Sequence, residues 1–398
     1  MKQLFKKLSS VCEIKNGYAF KSNQYKDEGT PLLRISNFDN GDVFMNGKQI
    51  FVDSSFLKTK NNFIVEKGDV LIALSGATTG KYGIYNFDYP SLLNQRIGLI
   101  KSDQSDKLDS RYFFYYLHVL KVKILQNAGG AAQPNISTNK ISEFEIRLPS
   151  LKTQQRIAGI LDDAAALRDK TAQLLTEYNL LAQSVFLEMF GDIGMSNKKE
   201  NFTPLKNLVV QKPDNGFFAK NELYVSGGVP IVWLNNFIDK LYIEQEDLRR
   251  AQILPKDEKY SLEYGDALFC RSSLTAEGIG KCAIVPKKMK EKTLFECHII
   301  RLKFNLNKII PEYFRFLSDT GYFRANIGKR SKTSTMTTIS QDGITDIKIP
   351  VPPIKLQIQF ADKIAIIEQQ KALAKQELQE SEDLFNCLLQ QAFKGELV

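Results

Sequence analysis

Histidine and cysteine are scarce in this chain of 398 residues, which holds two and five of them, and each scarcity removes a class of chemistry. With only His118 and His298, histidine-dependent triads and multi-histidine metal sites are improbable; His118 falls in a helical stretch, where packing is its ordinary role. Cys12, Cys270, Cys282, Cys297 and Cys387 are odd in number, lie far apart and never form a C-x-x-C pair. That argues against a disulfide framework and against zinc, and fits a reducing cytoplasm. No apolar run approaches the roughly 18 residues of a membrane span. The basic start MKQLFKKLSS is not followed by an apolar stretch of signal-peptide length, so a soluble cytoplasmic protein with no membrane partner is expected.

Catalytic motifs are missing as well. SGATTGKYG at Ser75 resembles a phosphate-binding loop, but only three residues separate Gly76 from Gly80, and Tyr82 follows Lys81 where a magnesium-holding hydroxyl is required. EGIGKCA at Glu277 keeps only Gly280-Lys281. A methyltransferase needs a Gly-rich cofactor loop and an acidic or amide residue before Pro-Pro-aromatic; Pro352-Pro353 is flanked by Val351 and Ile354. A magnesium nuclease of the Asp/Glu-x-Lys kind fails too, since Glu13/Lys15 has no Asp upstream. No catalytic residue and no metal site is assigned.

What the chain does have is size, positive charge and internal repetition. Its length exceeds a comfortable single domain, and 43% hydrophobic residues suffice for ordinary cores. Lys plus Arg exceed Asp plus Glu by nine, with a pI near 9.0, which favours a polyanionic partner. ISEFEIRLPSLKTQQRIAGIL from Ile141 recurs as ITDIKIPVPPIKLQIQFADKI from Ile344, displaced by 203 residues. Ile146/Ile349, Pro149/Pro352, Lys152/Lys355, Gln154/Gln357 and Ala158/Ala361 match in that register, and Phe190/Phe393 still obeys it. The intervening length is therefore held constant. Upstream, KGDVLIALSG at Lys67 and YGDALFCRSS at Tyr264 are displaced by 197, and Gly80-Lys81 and Gly280-Lys281 by 200. Drifting offsets mean loops of different length on a shared scaffold. QRIGLI at Gln95 with CHIIRL at Cys297, and PNIST at Pro134 with TTISQ at Thr337, extend the match.

VLIAL, ALFCR, RIGLI, HIIRL, FEIRL and IKIPV read as strands, and RYFFYYLHVLKVKIL and PEYFRFLSDTGYFRANI as short helices packed on them. After Pro149 and after Pro353 come long segments without Gly or Pro except Gly159, which read as helices of roughly 40 residues and about 60 Å. Ile157, Ile160, Ala164, Leu167, Thr171, Leu174, Tyr178, Leu181 and Val185 form a heptad stripe on the first. Phe360, Ile364, Ile367, Ala374, Leu378, Phe385, Leu388 and Ala392 form one on the second, interrupted by Lys371 and Ser381. Two helices capping their own domains would explain the stripes; their length favours pairing with each other.

LSSVCEIKNGYAF, KGDVLIALSGATTGKYG, LPSLKTQQRIAGILDD, VPPIKLQIQFADKI, FGD at Phe190 and QQAFKGEL resemble the specificity subunits of type I restriction-modification systems over essentially the whole chain. The family pattern P-x-x-x-Q-x-x-I is resembled by Pro149, Gln154/Gln155 and Ile157, and by Pro352, Gln357 and Phe360, with one residue more between Pro and Gln and with Phe360 departing from Ile. Arg96 departs from the histidine common in the family, which His298 keeps. The resemblance implies an α/β fold: two similar target-recognition domains joined by two long antiparallel helices, a coiled-coil spacer, with a pseudo-twofold internal repeat. The expected boundaries are 1–148 and 196–350 for the recognition domains, and 149–195 and 351–398 for the conserved helices. It further implies a non-catalytic chain reading a split double-stranded DNA target through the major groove and docking two modification (methyltransferase) subunits, with restriction/translocase subunits in the full complex. S-adenosylmethionine, ATP and magnesium would then sit on partner subunits and no cofactor on this chain.

Base reading calls for Arg, Lys, Asn and Gln in loops, and phosphate holding for hydroxyls and cations. In the first half the candidates are Lys21, Arg34, Asn37, Thr78, Thr79, Lys81, Asn94, Gln95, Arg96, Gln133, Asn135 and Lys140. In the second they are Asn235, Asn236, Arg271, Ser272, Thr275, Lys281, His298, Lys329, Arg330, Lys332, Thr333 and Ser334. GKRSKTSTMTTIS at Gly328 is the strongest patch, its plainer reading being a solvated loop. A self-contained methyltransferase or nuclease with an unrecognised active site, or a coiled-coil scaffold indifferent to nucleic acid, are the competing readings.

Overall fold

The computed structural model describes residues 4–39, 41–45, 49–102, 106–129, 133–195, 202–218 and 220–397. Its strands fall on the short apolar runs of the sequence, and the chain divides into two compact units, Met1–Thr171 with Gln376–Val398, and Ala172–Lys375. Each unit thus takes part of both long helices.

The first unit is built on β1 (Glu13–Asn16), β2 (Thr30–Leu33), β3 (Ile50–Val52), β4 (Val70–Ala73), β5 (Tyr82–Ile84), β6 (Ser91–Leu93) and β7 (Ile97–Lys101), then α1 (Ser110–Asn127) and the start of α2 (Leu151–Phe190). One sheet runs β1-β7-β4-β5, all antiparallel, with Leu71 opposite Leu99. It continues through two short strands at 41–43 and 38–39. A second sheet runs β3-β2-β6, with β2 and β6 parallel. β4 is buried along its whole length because alternate side chains serve two cores: Leu71 and Ala73 join Leu33, Leu93 and Leu99, while Val70 and Ile72 join the helices. α1 starts at Asp109, whose carboxylate accepts the N–H groups of Arg111 and Tyr112 at 3.0 Å. Its Tyr112, Tyr116, Leu120 and Ile124, spaced by four, face the core with Ile157 and Leu161 of α2. Each such burial contributes about 1.5–3 kcal/mol.

The second unit repeats the plan with β8 (Asp214–Asn215), β9 (Tyr224–Val232), β10 (Arg249–Ala251), β11 (Asp266–Cys270), β12 (Ser272–Ser273), β13 (Cys282–Ile284), β14 (Leu294–Phe295) and β15 (Ile299–Lys303). There follow α3 (Pro311–Asp319), α4 (Gly321–Arg330), β16 (Lys332–Thr333), β17 (Thr337–Thr338) and α5 (Ile354–Lys394). The order β8-β15-β11-β13 reproduces β1-β7-β4-β5, and β10-β9-β14, with β9 and β14 parallel, reproduces β3-β2-β6. The run read as one helix from Pro311 is two: Thr320 leaves helical geometry and its hydroxyl accepts the N–H of Phe323 at 3.3 Å, starting α4.

The long helices span the predicted segments and pair. In the first unit Arg168 lies 4.8 Å over the Phe385 ring; in the second Phe186 and Phe190 meet Phe360 at 5.6 and 5.3 Å. Rising numbers on α2 meet falling numbers on α5, so the helices are antiparallel. On α5 Phe360, Ile364, Ile367, Ala374, Phe385 and Ala392 are buried and Leu378 and Leu388 half-buried, while Leu389 and Ser381, which stand outside the expected stripe, are buried as well. α2 differs. Ile157 is buried and Ile160, Leu174 and Val185 half-buried, but Leu167 and Leu181 are 49% and 47% exposed. The buried positions are Gln154, Ile157, Ala158, Leu161, Ala164, Thr171, Ala182 and Phe186, and from Ile157 to Phe186 the seam recurs nearer every 3.6 residues than the 3.5 of a strict heptad. A straight helix drifts about 20° per heptad, which moves the seam onto the residues after Leu167 and Leu181. Among the described residues no helix is long and apolar enough to cross a membrane.

Candidate nucleic-acid interface

A short set of backbone hydrogen bonds defines the exposed end of the first unit. After β4, the Leu74 N–H donates to the Arg96 carbonyl at 3.0 Å, and the Ile136 N–H donates to the Leu74 carbonyl at 2.9 Å. The loop between β4 and β5 closes on itself through Gly80 N–H to Ala73 carbonyl (2.9 Å) and Ala73 N–H to Lys81 carbonyl (2.8 Å). Three segments remote in sequence therefore converge: 74–81, the 94–96 turn and 133–137. Asn16, Ser75, Gln95, Arg96, Asn135 and Ser137 line the groove they form.

The second unit makes the same four bonds with different residues. Arg271 N–H donates to His298 carbonyl (3.0 Å), Ile339 N–H to Arg271 carbonyl (3.0 Å), Gly280 N–H to Cys270 carbonyl (2.9 Å) and Cys270 N–H to Lys281 carbonyl (2.9 Å). The turn beside them is seated on a glycine in both copies. A Cβ on Gly17 would lie 2.1 Å from the Asn94 carbonyl oxygen, and one on Gly216 would lie 2.3 Å from that of Glu296. Only glycine permits that approach. The sequence signal for it is the Asn-Gly pair repeated as Asn16-Gly17 and Asn215-Gly216, which a pattern of polar side chains alone does not pick out.

The two turns carry different chemistry. Gln95 and Arg96 are exposed on the first. On the second, the buried carboxylate of Glu296 accepts the His298 backbone N–H at 2.9 Å and lies 2.8 Å from Nδ1, fixing the exposed imidazole. Cys297 Sγ is 3.6 Å from the same nitrogen. These three consecutive side chains are the one group of potential metal ligands lying within 4.8 Å of one another among the described residues. Burial and the neighbouring Glu296 push the Cys297 thiol up, away from the thiolate a nucleophile needs. His118 packs edge-on to Tyr82 and Phe114 and near Phe385, and burial lowers its pKa. The loop at Ser75 is no phosphate cradle: the N–H groups of Gly76, Thr79, Gly80 and Lys81 all donate to backbone carbonyls.

Residues 3–177 and 194–382 match the family described as type I restriction modification DNA specificity domain. The chain belongs to that family. Among the specificity-subunit relatives, it is 23% identical over 415 residues to the specificity subunit of the type I restriction enzyme EcoKI of Escherichia coli K12, covering 98% of this chain and 88% of the relative. It is 25% identical over 414 residues to that of StySPI of Salmonella potsdam, with the same coverage. Among solved folds, a chain from work on assembly and conformational transition of the type I R-M system matches with a TM-score of 0.61 at 15% identity, covering 99% of this chain and 98% of that one. The S subunit from M. genitalium matches with a TM-score of 0.53 at 16% identity, covering 98% and 95%.

Against this specificity-domain fold, the polar residues read from the sequence divide into two groups. Gln95, Arg96 and Asn135 are exposed at the first groove, Gln133 is exposed two residues before Asn135, and Asn94, Thr78 and Lys81 are half-buried on the converging segments. Lys21 and Arg34 are exposed on a separate stretch, and the Lys140 ammonium is tied to the Asn127 carbonyl at 2.7 Å. In the second unit Arg271, Thr275, His298, Lys329, Lys332, Thr333 and Ser334 are exposed, as is Asn235, while Arg330 is half-buried with Nη1 2.7 Å from Asn326 Oδ1. The residues around Gly328 form the end of α4 and β16, not an irregular loop.

Other candidates serve the fold. Asn37 is buried, its Oδ1 accepting the Arg34 N–H at 2.9 Å, and buried Asn236 does the same for Trp233 at 2.9 Å. Both close turns on their own backbone. Thr79 is buried and donates toward the Gly76 and Pro134 carbonyls, Ser272 is buried, and Lys281 pairs with Asp239 at 2.7 Å. Residue type alone does not separate a turn-closing Asn from a base-reading one.

Proposed function

We propose that this chain is the non-catalytic DNA-reading subunit of a type I restriction-modification complex, each unit reading one half of a split duplex target. The observation that carries the reading is the duplicated four-bond frame, which holds an exposed polar turn and an exposed loop in the same arrangement in both copies while changing the side chains they display. Arg96 and Gln95 stand in one frame and His298 and Arg271 in the other. A fixed backbone with exchanged side chains is what reading two different short sequences requires, because bidentate donors and acceptors on base edges discriminate by identity and placement. The chain's excess of nine cations supports affinity for phosphates.

The paired helices α2 and α5 are the spacer and the docking element for two modification subunits, which together with restriction/translocase subunits would hold S-adenosylmethionine, ATP and magnesium. His118 in aromatic packing and the raised Cys297 thiol support a chain without its own catalytic centre. The test is to assemble the chain with its modification subunits, select duplexes from a random library, and sequence the methylome of a host with and without the chain. A bipartite consensus shared by both experiments is expected. Methyl transfer or cleavage by the purified chain alone would overturn the non-catalytic assignment.

A further inference from the structure

The second unit carries one apolar side chain where the fold gives it no reason to be. Leu274 is 82% exposed, more than any other large apolar residue among those described. It directly follows β12, the outer strand of a small sheet in the order β12-β17-β16. Ser273 is opposite Thr337, so continuing that register sets Leu274 against Met336, itself 37% exposed. Single exposed leucines are ordinary on protein surfaces; the position of this one is not. Its turn is held rigidly: Ser273 Oγ accepts the Thr275 N–H at 3.2 Å, and Thr275 Oγ1 accepts the Gly278 N–H at 3.3 Å. A Cβ on Gly278 would lie 2.4 Å from Ser273 Oγ. The surroundings are cationic and rich in hydroxyls. Arg271, Lys329 and Lys332 are exposed and make no ion pair among the described residues, and Thr333 and Ser334 stand on the same sheet and its turn.

An exposed apolar side chain on a hydrogen-bonded turn, three residues after the exposed Arg271 and at the end of a serine strand, matches one feature of duplex DNA. The thymine C5 methyl is the single apolar group among the polar base edges of the major groove. We propose that Leu274, backed by Met336, reads a thymine methyl in the half-site bound by the second unit, resting on the DNA-reading function proposed above. In the first unit the residue in the same place after β4 is Ala77, displaced by 197 like the rest of that segment, and its single methyl extends less far than a leucine side chain.

The test uses the chain assembled with its modification subunits, wild type and Leu274→Ala, against duplexes selected by the wild-type complex. In the wild type, replacing thymine by deoxyuridine at one position of one half-site should weaken binding roughly fivefold to tenfold, the worth of a buried methyl with its contacts. Leu274→Ala should bind thymine and deoxyuridine duplexes alike, with preferences in the other half-site unchanged. A half-site with no methyl-sensitive thymine, or a variant that keeps full methyl sensitivity, overturns the proposal. So does a Leu274→Ala loss equal for both duplexes, which would make the leucine a wedge or a general contact. A wild-type complex that selects no sequence overturns the DNA-reading function itself, and this proposal with it.

Discussion

The side-chain oxygen of Gln154 accepts the backbone N–H of Asp109 at 2.9 Å, while its amide nitrogen donates to the carbonyls of Lys107 and Pro149 at 2.8 and 2.9 Å. Gln357 repeats this with Ile310 N–H at 2.8 Å and the Lys308 and Pro352 carbonyls at 3.2 and 2.8 Å. Both amides are fully buried. One side chain therefore fastens the start of each long helix to the start of a helix earlier in the same unit, α1 for Gln154 and α3 for Gln357, which is why glutamine recurs five residues after each proline.

Removing that clasp should be costly. Gln154→Leu keeps the volume but removes three hydrogen bonds to the backbone, two part-buried and one buried, an expected loss of about 1–3 kcal/mol. Gln155→Leu, at an exposed position, should stay within about 0.5 kcal/mol. Urea denaturation of both variants measures the difference; equal midpoints would show that the clasp adds nothing.

The hydroxyl-rich sheet after α4 makes an electrostatic prediction. Arg330→Ala with Lys332→Ala should weaken binding of one half-site only and reduce the slope of log affinity against log salt by about one to two. The smaller share should come from Arg330, whose guanidinium is partly held by Asn326. Binding titrations across a range of salt read this directly, and an unchanged slope removes the sheet from the interface.

A third prediction concerns pH. Asp266 is fully buried; that burial raises its carboxyl to about 6, opposed by the Arg301 guanidinium at 3.5 Å, which is itself bound to Asp214. A raised carboxyl pKa means that the folded chain binds the proton more tightly than the unfolded one, so this group destabilises the fold above about pH 6. The penalty is relieved as pH falls toward the unfolded value near 4. Its ceiling is about 3 kcal/mol. Asp266→Asn, which resembles the protonated acid, should therefore gain more stability over wild type at pH 7.5 than at pH 5, where about half of the penalty is already relieved. Thermal denaturation at both values decides it; a pH-independent difference would refute the assignment.

The sequence made the scaffold legible because the repeat is written in its backbone requirements. The matched proline-glutamine pairs and the constant displacement of 203 reflect one clasp made twice with the same geometry. The displacements of 197 and 200 proved to be the same hydrogen bonds reached through loops of other lengths. The seam of α2 was misjudged at Leu167 and Leu181 because a strict heptad fits a supercoil, whereas the burial of this helix follows an ordinary 3.6-residue turn. The interface was less legible. Asn37 and Asn236 look like readers and close turns, and Leu274 looks like nothing until its exposure is seen. Whether an amide faces solvent or its own backbone depends on turn geometry, which composition does not encode.

The paired helices make the last prediction. If they set the distance between reading surfaces, lengthening both by the same amount should alter the DNA spacing and nothing else. Seven residues inserted near Ala172 in α2, matched by seven near Lys375 in α5, preserve the heptad phase and add about 10 Å at 1.5 Å per residue. That is roughly three base pairs at 3.4 Å each. Library selection with the assembled variant should return the same two half-sites with a changed preferred gap, of that order. An assembled variant that selects the original gap would show that spacing is set outside the helices, and a variant that loses one half-site would show that the insertion disturbs a unit and not the distance.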